Sequence, residues 1–390
     1  MKGLTPSAVY MGVLAAFVGY SASFAIVLAG IKAMGATEAQ AATGLFFATI
    51  GMGVCSIWIP FVTRTPAAIA WSTPGAAFMA ASTILPGGFA EAVGALIICA
   101  GLIILTGVVP ALARAVAAIP KPIGSALLAG VLLKLCFAPA LALGSLPLLT
   151  LPILVAWMVG LAWNRLLAMP LAVMAFVAVL FVSLDTSNSA GAVAIEWRPD
   201  LQLVPPSFSL TSAISIGLPL YLVTMAGQNI PGFAVLELNR YEVKRPFLIR
   251  STGLVSLGIA PFGAIPVNMS AITASMMAGE DAGQDPAGRY WAAIVSGTCY
   301  VALAFAATAV TTLASLAPQD IITAVAGLAL IPAFVGATTA AFSQPDQLEG
   351  PALTFLIAGS GMSVLGVSGA VWGLIAGGLI WLLKSRLSRA

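Results

Sequence analysis

Histidine is absent from all 390 residues. That removes the commonest metal ligand and the usual proton relay near neutral pH, and most metalloenzyme readings go with it. Charge is nearly as scarce: 7% of residues are Asp, Glu, Lys or Arg, against 60% hydrophobic. Such a chain cannot present the mixed charged surface that keeps a soluble domain of this size in water. The net charge of +3 comes from scattered basic residues, so no nucleic-acid footprint is present. Cys55, Cys99, Cys136 and Cys299 lie singly in apolar segments, without metal-site spacing or the pattern of a disulfide framework. Packing is their expected role, and nothing in the composition calls for a cofactor.

What remains is apolar sequence in long runs. A bilayer core about 30 Å thick needs roughly 20 apolar residues per helix. Stretches of that kind recur near 6–31, 40–60, 66–83, 88–115, 119–136, 149–165 and 169–184, and again near 208–236, 246–262, 266–279, 289–316, 320–341, 350–365 and 369–385. The expectation is an all-α polytopic membrane protein of fourteen segments. The first stretch resembles a secretory signal, but a signal is not followed by a series of further apolar segments. A polar stretch, 185–207, holding Asp185, Glu196, Arg198, Asp200 and Pro205-Pro206, separates residues 1–184 from 208–390. Seven segments reverse the orientation of whatever follows, so the second set is expected as an inverted repeat of the first, with 185–207 as an external linker.

The basic residues agree with that count. With the amino terminus inside, Lys2, Arg64, Arg114, Lys121, Arg165, Arg240, Lys244, Arg245, Arg250, Arg289, Lys384, Arg386 and Arg389 fall on the inner side, and only Lys32, Lys134 and Arg198 on the outer. Both termini are expected in the cytoplasm of a cell with this chain in its inner membrane.

Two segments are irregular in the same way, and each is third in its half. Ala67 to Trp71 leads into Ser72-Thr73-Pro74-Gly75 and a small-residue run to Ser82; Phe262 to Ile265 leads into Pro266-Val267-Asn268 and then Met269 to Ala278. Each reads as a short extended piece followed by a half-length helix, with Thr73 and Asn268 as N-caps and Pro74 in the first helical position. Two such helix starts at mid-membrane expose N–H groups and positive dipole ends that can hold an anion. Irregular backbone at that depth survives only when buried in protein or lining a cavity. The alternative is that Pro74 and Pro266 merely kink continuous helices.

In the eighth segment two adjacent amides, Gln228 and Asn229, precede Pro231-Gly232 inside an apolar helix. Unpaired amides in hydrocarbon cost several kcal/mol, so each needs a partner: a substrate, or a neighbouring helix that it glues. The first segment carries Tyr20, Ser21 and Ser23 at a comparable depth, although membrane serines usually bond back to their own helix. Phe17, Phe24, Phe78, Met225, Phe233 and Met269 are available to wall an aromatic ring or simply to pack. Glu91, Asp185, Glu237, Asp320 and Asp346 all fall near segment ends, and Glu237 beside Arg240, Lys244 and Arg245 reads as an ion-pair residue. No nucleophile, metal cluster or carboxylate pair can be assembled within the membrane, so the chain is not read as an enzyme.

The strings Met225-Ala226-Gly227-Gln228-Asn229-Ile230-Pro231-Gly232-Phe233, Ser72-Thr73-Pro74-Gly75-Ala76 and Pro266-Val267-Asn268-Met269-Ser270-Ala271-Ile272-Thr273 resemble the bacterial benzoate:proton symporter family over essentially the whole chain. The resemblance implies the fold of nucleobase transporters and anion carriers: two inverted sets of seven segments split into core and gate domains. It implies short strands that pair ahead of the half-helices in segments three and ten, and a substrate between their starts, contacted by segments one and eight. The implied substrate contacts are Tyr20, Ser21, Ser23, Ser72, Thr73, Gly75, Gln228, Asn229, Val267, Asn268, Met269 and Ser270. Gln228 stands where nucleobase relatives place a substrate-binding acid, and Val267-Asn268 at their second acidic position; both are neutral here, which suits an anion. Benzoate and a proton are the implied cargo, membrane lipid surrounds the chain, and a homodimer is left open. The competing readings are a nucleobase or other small-anion carrier of the same fold, and a passive anion channel.

Overall fold

A computed structural model describes residues 4–186, 200–364 and 367–387. Lys2, Arg389 and most of the linker, Glu196 and Arg198 included, lie outside the described residues, as does the side chain of Asp185. Among the described residues seven helices are long and apolar enough to cross a membrane: Pro6–Ala33, Glu38–Thr63, Gly88–Val108, Lys121–Ser145, Arg165–Val182, Leu210–Leu238 and Gln319–Ala341. Pro286–Ala304 and Ala307–Ser315 qualify together as a pair bent by 56°. The chain is therefore a mostly helical multi-pass membrane protein. Shorter helices, among them Pro147–Trp163, Arg245–Ile259 and Glu349–Gly359, occupy other expected stretches.

Small residues set the packing. A Cβ on Gly53 would lie 2.9 Å from the Gly297 carbonyl oxygen, and one on Gly297 would lie 2.7 Å from that of Gly53. The Glu38–Thr63 and Tyr290–Ala304 helices thus touch through their backbones, as membrane helices do where small side chains permit. Glu38–Thr63 begins with a reciprocal Thr37/Gln40 capping box and stops where Arg64 turns left-handed at φ 55°.

Two expected segments are not simple rods. The first breaks at Ala22-Ser23 into Pro6–Ser21 and Phe24–Ala33. The eighth contains two π turns, Ala213–Gly217 and Met225–Asn229, the second carrying both amides. Such turns insert an extra residue into a helix and recur at functional sites.

At the centre, strand β1 (Ile69–Trp71) pairs antiparallel with strand β2 (Val267–Met269), with Ala70 opposite Asn268. The pair lies deep in the protein, where its outer edges cannot find water and must be satisfied from within. One serine closes each edge. The Ser56 hydroxyl accepts from the Ile69 N–H (3.3 Å) and donates to the Ile69 carbonyl (3.2 Å). Ser256 does the same for Val267, at 3.0 and 3.4 Å. Either serine replaced by alanine leaves a buried strand edge unpaired. The expected cost is about 1–3 kcal/mol, read as a lower melting temperature in detergent; unchanged melting in both variants would remove the edge-closing role.

Candidate functional site

Each strand runs directly into a short helix, β1 into Thr73–Ala81 and β2 into Ala271–Ala278. The caps differ from the expected ones. Ser72, not Thr73, caps the first: its Oγ accepts from the Gly75 N–H at 3.2 Å and lies 2.7 Å from the Thr224 hydroxyl, while Thr73 and Pro74 are already helical. Ser270, not Asn268, caps the second, accepting from the Thr273 N–H at 3.5 Å. Asn268 and Met269 belong to β2 instead, because pairing with β1 carries the extended backbone further than local preference indicates. Asn268 turns its side chain to the strand, donating from Nδ2 to the Met269 carbonyl at 2.6 Å.

The eighth segment holds this centre from one side. Asn229 is fully buried; its Oδ1 accepts from the Met269 N–H at 3.0 Å and its Nδ2 lies 3.1 Å from the Met225 sulfur. Both ends of that amide are occupied, so Asn229 anchors β2. Its neighbour Gln228 is half-buried and has no hydrogen-bond partner among the described residues. The turn carrying Gln228 abuts the first half-helix: a Cβ on Gly227 would sit 3.6 Å from Pro74 Cγ and 3.3 Å from Leu128 Cδ2. Gly75 is equally confined, since a Cβ there would meet Leu220 at 2.5 Å and the Ser72 oxygen at 2.6 Å.

The first segment holds the other side. Ser21 bonds back to Val18 (3.3 Å). Ser23 bonds back to Gly19 (2.9 Å) and also accepts from the Trp71 indole N–H at 2.7 Å, which ties the helix break to β1. The Tyr20 ring is buried, 5.3 Å from Trp71 and 6.0 Å from Phe24. Gly19, next to it, faces the second half-helix, where a Cβ would lie 3.2 Å from Thr273 Cγ2.

Three buried polar atoms around these helix starts have no partner among the described residues: the Tyr20 hydroxyl, Asn268 Oδ1 and the Thr273 hydroxyl. Unsatisfied buried groups are rare in folded proteins, and each costs about 1–3 kcal/mol. Together with Gln228 they offer hydrogen bonds to a guest without any fixed charge. The acids are held elsewhere. Glu237 pairs with Arg245 at 2.8 Å, and buried Glu91 accepts from the Gly87 N–H at 2.7 Å and from the Ser209 hydroxyl. Among the described residues no group of His, Cys, Asp and Glu is placed to hold a metal.

The expected apolar ring is dispersed. Phe17 and Phe24 line one cavity with Tyr20 and Ser21, Phe78 lines a different one, and Phe233 lies under the Arg245 guanidinium at 5.8 Å. Thr273, Ser56 and Ser256 were not singled out by the sequence. A lone hydroxyl in an apolar run is the signal they share, but it does not reveal which backbone the hydroxyl meets.

Comparison with known proteins agrees with this architecture. The family described as benzoate membrane transport protein matches residues 2–383. The chain is 32% identical over 387 residues to the inner membrane protein YdcO of Escherichia coli (strain K12), covering 99% of this chain and 97% of that one. It is 31% identical over 385 residues to the benzoate membrane transport protein of Acinetobacter baylyi, covering 98% and 96%. Among solved structures it resembles the transmembrane domain of the cyanobacterial bicarbonate transporter BicA, with a TM-score of 0.61 at 16% identity over 97% of this chain and 96% of that one. It also resembles the murine anion transporter Slc26a9 in its inward-facing state, with a TM-score of 0.62 at 12% identity over 100% of this chain and 69% of that one.

Proposed function

This chain belongs to the benzoate membrane transport protein family, and we propose that it is a secondary transporter importing benzoate, or a similar small aromatic carboxylate, with a proton across the inner membrane. It is a transport protein and not an enzyme. The observation that carries the reading is the centre itself: two half-helices start from paired strands, beside three unpartnered buried polar atoms and the free Gln228 amide, with no acid among them. Helix starts and neutral donors favour a carboxylate, which a fixed acid would repel.

The matching treatment of the two strands, one serine closing each outer edge and one serine capping each following helix, supports fourteen segments arranged as two inverted sevens. In that arrangement the segments divide into a core carrying the site and a gate. Transport is the movement of core against gate, which exposes the site to each face in turn. Both termini then lie in the cytoplasm.

The test is uptake of labelled benzoate by proteoliposomes, with and without an imposed outside-acid gradient. Protein-free liposomes are subtracted, because neutral benzoic acid crosses bilayers unaided. Saturable uptake accelerated by outside acid is the expected result. Saturable uptake indifferent to the gradient would remove the proton, and current without saturation would replace the carrier by a channel.

A further inference from the structure

One half-helix length from this centre, at the carboxyl end of Thr73–Ala81, lies a cavity of about 290 Å³. Nine residues of helix span about 12–14 Å, which is the distance from this cavity to the start of that half-helix. Its walls come from stretches far apart in the chain: Phe78 and Ser82 at the end of the half-helix and Ile216 in the first π turn, against Lys134, Met362 and Ser368. The volume sits at the lower end of small-molecule sites, roughly 300–1,000 Å³.

Lys134 is the one charged residue among those lining this cavity. It is exposed and has no ion pair or hydrogen bond among the described residues. Lys121 and Lys244 are likewise without an ion pair among the described residues, but neither lines this cavity. Lys32 pairs with Glu38 at 2.7 Å and Lys384 with Glu349 at 2.6 Å. A helix end normally adds negative potential, but here Ser82 Oγ donates to the Phe78 carbonyl at 2.7 Å and offsets part of it. The Ser368 hydroxyl is buried in the same cavity without a partner among the described residues. A single ammonium, a free hydroxyl and apolar walls match one chemical class, a carboxylate attached to a small ring.

We propose that this cavity is an entry site which captures the aromatic carboxylate from outside before it reaches the helix starts, with Lys134 holding the carboxylate and Phe78, Ile216 and Met362 the ring. The assignment rests on the cargo and orientation proposed above. Lys134 acts on arrival, so its removal should change how often substrate enters and not how tightly the centre holds it.

The experiment compares Lys134→Gln and Lys134→Arg with the unaltered protein. Initial benzoate uptake into proteoliposomes is measured across substrate concentration at low and high salt, alongside equilibrium binding to the purified proteins. Lys134→Gln is expected to raise the uptake KM about three- to tenfold at low salt, with the difference shrinking at high salt, and Lys134→Arg to stay near the unaltered protein. A second measurement needs no variant: benzoate should slow acylation of Lys134 by an amine-reactive reagent, read by mass spectrometry, and neutral benzamide should not. The same KM and salt dependence in Lys134→Gln, or acylation indifferent to benzoate, would overturn the entry site while leaving the carrier reading intact. Absence of benzoate uptake by the unaltered protein would overturn both.

Discussion

Asn268→Asp is expected to weaken benzoate binding by more than a hundredfold, while benzamide, the neutral counterpart, loses far less. Asn268 is fully buried on β2, with Nδ2 fixed on the Met269 carbonyl and Oδ1 unpartnered beside the half-helix starts. Aspartate has nearly the same shape and adds a negative charge where the carboxylate is proposed to sit. Two like charges about 5 Å apart, at an effective dielectric of about 20, repel by about 3 kcal/mol, which corresponds to a factor of more than a hundred. The substitution also replaces the donor to Met269 by an oxygen, so stability falls whatever the ligand. That common loss cancels in the ratio of benzoate to benzamide affinity, measured by equilibrium binding to the purified variant. Equal losses for both ligands would show that charge at position 268 does not reach the cargo, and the neutral anion site would be abandoned.

Much of this centre is legible in the sequence because proline and glycine interrupt apolar runs that would otherwise continue. Pro74-Gly75 and Pro266 mark two such interruptions, and strands followed by half-helices stand at both. The caps are displaced, from Thr73 to Ser72 and from Asn268 to Ser270, because strand length is set by a partner some 200 positions away and not by local preference. The same distance hides Ser56 and Ser256, whose bonds acquire meaning only once β1 and β2 are side by side. Gln228 and Asn229 look alike in sequence. Their separation into a free amide and an anchored one comes from the π turn, which apolar patterning does not reveal. The charge pattern leads to the expectation that Lys134 is an outer cation, but its cavity is assembled from four separate stretches of chain.

That separation gives the second large effect. Gln228→Ala is expected to lower benzoate affinity about 10- to 100-fold with little change in melting temperature, because the side chain has no hydrogen-bond partner to lose among the described residues. A hydrogen bond to a charged group contributes about 1.5–3 kcal/mol, which sets the range. Asn229→Ala should behave in the opposite way. It strips the Met269 N–H of its acceptor in the interior, so it should lower the melting temperature first and affect benzoate only through the loosened strand. Gln228→Glu, which places a fixed acid next to the proposed carboxylate, should weaken benzoate further than alanine does and spare benzamide. Adjacent amides with opposite phenotypes would tie the ligand to the π turn. Unchanged affinity in Gln228→Ala, with reduced affinity in Asn229→Ala at unaltered stability, would place the ligand against the strand and leave the turn a packing device.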